Sequence, residues 1–451
     1  MVRSDTDLQR SEARERARRT RRVFAASYIG SAIETYDFLI YSTAATLVFG
    51  HAFFPSASPT AGVLASLATL GVGYLARPIG GLIFGHVGDR MGRKGTLIIT
   101  LVAMSLCTVL IGLLPTYETI GVWAPVLLVV LRLAQGLAVG GEWGGAVLLS
   151  VEHASSERRA FLGSATNMGA GSGFLLAFLA FGAVSAATGD GFAAWGWRIP
   201  FVATIVLLGL GLYIRLKVEE SPIAAEATSV RFPLGRLLRE HPRRLALAVG
   251  LTAGPFLCQA VATTTVVAYA TGPEFGIPRQ TLINALIIAS ACQVVTIPLF
   301  GMLADRIGRR PVFMAACLVF AVQAFLIVPM VTSAVWALIL ISYLITLPLL
   351  YGATHGVVGA LLSELYPTEI RYTGVSASFQ LAASIGGGVG PVVAAVLLAT
   401  SNGSMLLSIL LALGALISLG CVTALRETRS VDLRRVVPDR AAESDAVIST
   451  R

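Results

Sequence analysis

Charge is scarce in this chain: 13% of its 451 residues are Asp, Glu, Lys or Arg, and the mean hydropathy is +0.77. A water-soluble protein needs far more polar surface, so a soluble fold is excluded. Cysteine and histidine are equally thin, with five of each. Cys107, Cys258, Cys292, Cys317 and Cys421 all fall in apolar stretches, with no Cys-x-x-Cys and no histidine pairing, which argues against disulfide and metal roles and for small apolar fillers. The phosphate-binding loop of ATP-driven proteins is missing, and Glu142 and His153 lack the spacing of a zinc motif. No enzyme activity, cofactor or metal is expected.

What the chain has in abundance is apolar sequence, 55% of all residues. Twelve runs, at roughly 24–49, 61–85, 95–114, 123–151, 161–187, 198–216, 245–271, 281–303, 311–331, 334–362, 372–400 and 404–425, read as helices. Most are long enough to cross ~30 Å of hydrocarbon at about 1.5 Å per residue. This ordering puts 30 of the 34 Lys and Arg residues on one side of the membrane. That asymmetry predicts a multi-pass protein of the inner (plasma) membrane with both termini cytoplasmic, and it accounts for the net charge of +9 without a nucleic-acid partner. Residues 1–23 are expected to be a disordered basic tail at the lipid surface and not a cleaved signal peptide, because the apolar segment that follows is too long and carries Glu34 and Asp37. Residues 217–244 read as a cytoplasmic linker with short amphipathic pieces. Residues 426–451 read as a second cytoplasmic tail, disordered beyond about Ser430.

The most specific feature is a repeat. Gly85-His-Val-Gly-Asp89-Arg90-Met-Gly92-Arg93-Lys94 returns 216 residues later as Gly301-Met-Leu-Ala-Asp305-Arg306-Ile-Gly308-Arg309-Arg310. Glu219-Glu220-Ser221-Pro222 after the sixth helix is echoed by Arg426-Glu427-Thr428-Arg429 after the twelfth. The chain therefore divides into two six-helix halves, 24–216 and 245–425. Parallel repeats of this kind place a substrate cavity at their interface near the membrane midplane.

The repeated loop is similar to the signature loop of the major facilitator superfamily, and Arg132-Leu-Ala-Gln135-Gly136 resembles its helix-four signature. Glu34-Thr-Tyr36-Asp37-Phe38-Leu-Ile-Tyr41, Arg77-Pro-Ile-Gly80-Gly81, Val139-Gly-Gly-Glu142-Trp143-Gly-Gly145, Trp195-Gly-Trp197-Arg198 and Glu364-Leu-Tyr366-Pro-Thr-Glu369-Ile-Arg371 together resemble the metabolite:proton symporter branch. That branch includes carriers of shikimate, dicarboxylates and proline/betaine, and the shikimate type looks most similar. The resemblance implies an all-α membrane protein of twelve transmembrane helices, working as a monomer on small molecules and protons.

An ionisable group at bilayer depth costs about 2.5–3.5 kcal/mol, so each one calls for a reason. Glu34 and Asp37 share a face of helix one, roughly 15–20 Å from its cytoplasmic end. Arg77 on helix two and Glu142 on helix four lie at comparable depth, roughly 12–15 Å in. A desolvated carboxylate near a guanidinium can change protonation in the working pH range, which proton coupling requires. Glu34, Asp37 and Glu142 are therefore the expected proton-coupling acids. Arg132 joins them through its match to the helix-four signature, although a place near the outer end of its helix also allows snorkelling. Arg77 is the expected substrate-binding cation, with Tyr36, Tyr41 and Gln135 beside it, because arginine holds carboxylates through two parallel hydrogen bonds. The competing reading for each is a static pair that locks helices together. Asn167, Gln259, Gln293, Gln323, Tyr351, His355 and Gln380 read as packing contacts.

Gly85, Asp89, Arg90, Gly92 and Arg93, with Gly301, Asp305, Arg306, Gly308 and Arg309, are the expected gate. Each aspartate is placed to cap a neighbouring helix or pair with a loop arginine. The function expected from all this is uptake of a small organic acid, driven by the proton gradient through alternating access. A proton-antiporting exporter of drug-like molecules is disfavoured, because Asn167-Met-Gly-Ala-Gly171-Ser-Gly173 lacks the proline of the exporter motif. A membrane sensor on a carrier scaffold would need a soluble signalling domain, for which the tails leave no room.

Overall fold

The computed structural model describes residues 5–55, 59–221, 223, 230 and 232–433. Twelve long helices organise them: α1 Asp5–Leu47, α2 Pro59–Met91, α3 Arg93–Leu113, α4 Trp123–Glu152, α5 Ser156–Thr188, α6 Arg198–Leu216, α7 Pro242–Ala270, α8 Arg279–Ile307, α9 Arg309–Thr332, α10 Trp336–Leu365, α11 Thr368–Leu398 and α12 Gly403–Ala424. α3 to α12 are each long and apolar enough to cross a membrane. α1 and α2 complete the set of twelve, six in each half. Helices suit this composition because each satisfies its own backbone hydrogen bonds, which hydrocarbon cannot do. Their outer faces carry bare apolar side chains, such as Leu75 (73% exposed) and Val206 (71%), a surface that fits lipid and not water.

Two expectations about the chain ends need correction. α1 begins at Asp5, so from that residue the basic tail continues the first membrane helix and is not a disordered arm. At the other end, Thr428 and Leu433 are buried, so residues 428–433 pack onto the protein; the segment from 434 lies outside the described residues. In the linker, Pro233–Glu240 forms a short helix that buries Leu237 and exposes Leu238, as an amphipathic piece should.

Within the first half, α2 and α4 cross without side chains between them. A Cβ on Gly80 would strike the Leu137 carbonyl, and one on Gly140 the Arg77 carbonyl. α7, α10 and α11 each contain a widened π turn, at Val261–Thr265, Ile345–Tyr351 and Ala383–Val389. Pro348 lies in the second and Gly386 to Gly388 in the third, which are residues that loosen the regular ladder.

The two signature loops lie on one face, which we term the motif face. There Gly92 (φ 98°) and Gly308 (φ 111°) turn the chain sharply between α2 and α3 and between α8 and α9. With ψ near 160°, both occupy a region open essentially to glycine alone. Gly92→Ala and Gly308→Ala are each expected to lose on the order of 1–3 kcal/mol of stability, read as a lower melting temperature of the purified protein. Melting at the wild-type temperature would refute this.

Candidate functional site

A small cavity opens inside the first half, between α1, α2, α3 and α4. It is lined by Glu34, Asp37, Phe38, Gly73, Arg77, Met104, Arg132, Gln135, Gly136 and Val139. Asp37 is buried, and one of its carboxylate oxygens accepts a hydrogen bond from Thr204 Oγ1 at 3.1 Å. The second oxygen has no protein partner. Arg132 does not snorkel. It is 4% exposed, donates to Gln135 Oε1 at 2.6 Å and lies over the Tyr41 ring, 4.1 Å from its centroid. Gln135 in turn donates to Thr108 Oγ1 at 2.7 Å. Arg77 lies over Tyr74, 4.5 Å from the ring centroid.

Five of the eight residues named from sequence for binding and coupling thus line one cavity: Glu34, Asp37, Arg77, Arg132 and Gln135. The other three are placed elsewhere. Tyr36 points towards α6, where its hydroxyl donates to the Pro200 carbonyl at 2.8 Å. Tyr41 supports Arg132 from below and hydrogen-bonds Thr69. Glu142 is buried in an ion pair with Arg215, and it also accepts from Thr100 Oγ1 at 2.8 Å. Arg215 further donates to the Leu97 carbonyl. Counted from sequence as a cytoplasmic topology charge, Arg215 instead ties α6 to α3 and α4. Removing one member strands the other in a dry site, so Arg215→Ala should lose about 3–5 kcal/mol of stability. The fall in melting temperature measures this, and Arg215→Ala/Glu142→Leu should recover part of it.

One turn closer to the motif face than Val139, an aromatic layer closes the path between the halves. Trp143 of α4 stacks on Phe379 of α11, with ring centroids 3.3 Å apart. Trp143 Nε1–H donates to Asn167 Oδ1 (3.0 Å), and Asn167 Nδ2–H to the His355 carbonyl (2.7 Å). Gln380 reaches from α11 to the Gly140 carbonyl at 3.2 Å. Asn167, His355 and Gln380 thus join the two halves.

Beyond this layer the signature loops form two crossed latches. Asp89, from the first half, accepts the backbone N–H of Tyr372 (3.0 Å) and Thr373 (2.9 Å), so it caps α11 of the second half. Asp305, from the second half, accepts the N–H of Ala160 (3.0 Å) and Phe161 (2.9 Å), so it caps α5 of the first. Each aspartate also pairs with the arginine four residues on, Asp89 with Arg93 (2.9 Å) and Asp305 with Arg309 (3.2 Å). Gly85 and Gly301 lie where α2 meets α11 and α8 meets α5; a Cβ on Gly85 would come 2.7 Å from Thr373 Cα. Arg90 and Arg306 are exposed and form no ion pair among the described residues.

Sequence reading missed the second tier of these latches. Glu152 binds Arg93 (3.4 Å) and Arg371 (3.1 Å), and Glu364 binds Arg309 (3.2 Å) and Arg159 (3.5 Å). Ser221 closes on Glu152, and Thr428 on Glu364. Glu220 accepts the N–H of Arg93 (2.9 Å), and Glu427 that of Arg309 (2.9 Å). Burial pushes the Glu427 carboxyl up, but donations from the backbone of Arg309, Arg310, Arg429 and Thr428 outweigh it and hold the group below its ordinary range. A signal was available: Glu152 to Arg159 and Glu364 to Arg371 have the same seven-residue spacing. Among the described residues, the hydrogen bonds and ion pairs joining the halves lie between the cavity floor and the motif face, so the molecule is closed towards that face.

The cavity lies inside the first half and not at the interface of the halves as expected, but two six-helix halves joined by latches, with a charged cavity in one, have the architecture of a membrane carrier. A family model described as "Sugar (and other) transporter" matches residues 23–223, and one described as "Major Facilitator Superfamily" matches residues 251–447. The inner membrane metabolite transport protein YhjE of Escherichia coli (strain K12) is 42% identical, over 91% of this chain and 95% of its own length. The shikimate transporter of the same organism is 39% identical, over 89% and 93%. Its proline/betaine transporter is 33% identical, over 93% and 86%. In fold the chain matches the proton:xylose symporter XylE with a TM-score of 0.75 at 20% identity, covering 93% of this chain and 98% of that one. The chain belongs to the major facilitator superfamily, in its metabolite:proton symporter branch, and is a membrane transporter.

Proposed function

We propose that this transporter imports a small organic acid together with a proton, by alternating access, across the inner membrane with both termini in the cytoplasm. The observation that carries the reading is the cavity, where two carboxylates and two guanidiniums converge at bilayer depth. Such groups are tolerated in hydrocarbon when they have work to do. In this reading Asp37 and Glu34 take up and release the proton, and Arg77 with Arg132 receives the substrate carboxylate. Substrate and proton enter while the motif face is shut. Opening of the latches and parting of the aromatic layer then deliver both to the cytoplasm. A single chain contains all of these parts, so the monomer is the working unit, and the proton gradient suffices without a cofactor. The "shikimate transporter" among the relatives makes shikimate the first acid to try.

The test is uptake of radiolabelled shikimate, then of di- and tricarboxylates, into proteoliposomes under an imposed inward proton gradient. Accumulation that collapses on adding a protonophore supports the proposal. Indifference to every acid, combined with efflux of cationic dyes, would replace it with proton-driven export.

A further inference from the structure

Arg77 and Arg132 share their cavity with two carboxylates, yet neither forms an ion pair among the described residues. Aromatic faces hold them instead. Arg77 lies 4.5 Å from the Tyr74 ring centroid and 5.2 Å from that of Phe38. Arg132 lies 4.1 Å from Tyr41 and 5.5 Å from Phe38. Phe38 is the ring common to both, and it lines the cavity beside Asp37. A ring face steadies a guanidinium through its quadrupole but takes none of the N–H groups at the edge of the fork. Two like charges thus border one ring, with most of their donors unspent and neither paired with the carboxylates of the cavity.

We propose that Phe38 is the specificity-determining spacer of an anion site, setting the opening between the Arg77 and Arg132 forks into which a substrate carboxylate fits. This rests on the organic-acid reading above. Without the ring, the arginines are free to fold onto Glu34 and Asp37, and the site loses its call for an anion while the helices stay packed.

The experiment measures binding of radiolabelled shikimate and succinate to the purified full chain in nanodiscs. Phe38→Leu should weaken binding of the preferred acid about tenfold, while Phe38→Tyr, which keeps the ring, stays within about threefold of wild type. Melting temperatures of the three proteins should agree, and the methyl ester of shikimate should bind poorly to all of them. Equal affinity in wild type and Phe38→Leu overturns the spacer alone, as does equal loss in the leucine and tyrosine variants. Binding of neither acid by wild type overturns the organic-acid reading and the spacer together.

A separate observation lies on the motif face. Residues 428–433 run across both latches. The Val431 carbonyl accepts from Arg159 of the first half (2.6 Å), and the Leu433 carbonyl from Arg371 of the second (2.6 Å) and from Thr368 (2.9 Å). The Leu433 side chain is 1% exposed, in the same apolar cluster as Trp143, Leu237 and Phe379. We infer that this segment is an autoinhibitory strap: it holds one latch arginine from each half and must leave before the motif face opens. Its test needs no substrate. With the five native cysteines replaced by serine, Ser376→Cys places a thiol at the buried contact of α11 with Gly144. Alkylation by N-ethylmaleimide should run about tenfold faster in a chain ending at Ser430, or in Leu433→Glu, with melting temperatures near the intact chain. Unchanged rates in both variants overturn the strap.

Discussion

Asp37→Asn is expected to lose gradient-driven accumulation and to keep exchange of substrate between equal pools. The side chain is buried on α1, with one oxygen held by Thr204 and the other unpartnered at the cavity wall. Asparagine keeps the volume and the bond from Thr204 but cannot titrate, so the variant behaves as a carrier fixed in the protonated form. Such a carrier still binds acid and rocks, because the charge that discourages movement is gone. Net uptake against a gradient should fall on the order of 100-fold, the usual scale for deleting a group that moves a proton. The decisive comparison is counterflow against proton-driven uptake in the same proteoliposomes. Wild-type accumulation in Asp37→Asn would remove Asp37 from coupling and leave Glu34 as the remaining acid of the cavity.

The second large effect concerns access. Asp89→Asn and Asp305→Asn each weaken a carboxylate cap on a helix of the opposite half, and each removes one of the two charge partners of Arg93 or Arg309. Hydrogen bonds to a charged group contribute about 1.5–3 kcal/mol, and each 1.4 kcal/mol is tenfold in a population ratio. A single substitution should therefore shift the balance of closed to open motif face by roughly 10- to 100-fold. Distances between spin labels across that face report the populations directly. The double variant should shift further than either single one. A distribution unchanged in the double variant would mean that the latches only support the loops.

The fold was readable because hydrocarbon leaves few choices: long apolar runs had to be helices, and the duplicated loop showed that the chain is built of two related halves. The cavity was partly readable for the same reason, since Glu34, Asp37, Arg77 and Arg132 stood out as charges in apolar sequence. Side-chain direction was not readable. Tyr36 belongs to the motif that suggested it, but packing against α6 turns its hydroxyl to Pro200. Glu142 looked like Glu34 in sequence and differs because Arg215 reaches it from the end of another helix. Hydropathy and charge counts also hid the buried roles of Arg159 and Arg371, which on sequence alone fit the positive-inside pattern. Which helix each aspartate caps depends on contacts between residues 283 and 145 positions apart, beyond the reach of local pattern.

Because Asp89 completes α11 while Asp305 completes α5, the two halves meet as the subunits of a twofold dimer do, patch i on patch j and patch j on patch i. In a true homodimer, one codon change would alter both contacts at once. Here the subunits are covalently joined and separately encoded, so each latch can be tightened or loosened alone. The second tier already differs: Arg371 approaches Glu152 to 3.1 Å, whereas Arg159 approaches Glu364 only to 3.5 Å. Fusion thus lets a single symmetric lock become two that can be adjusted independently.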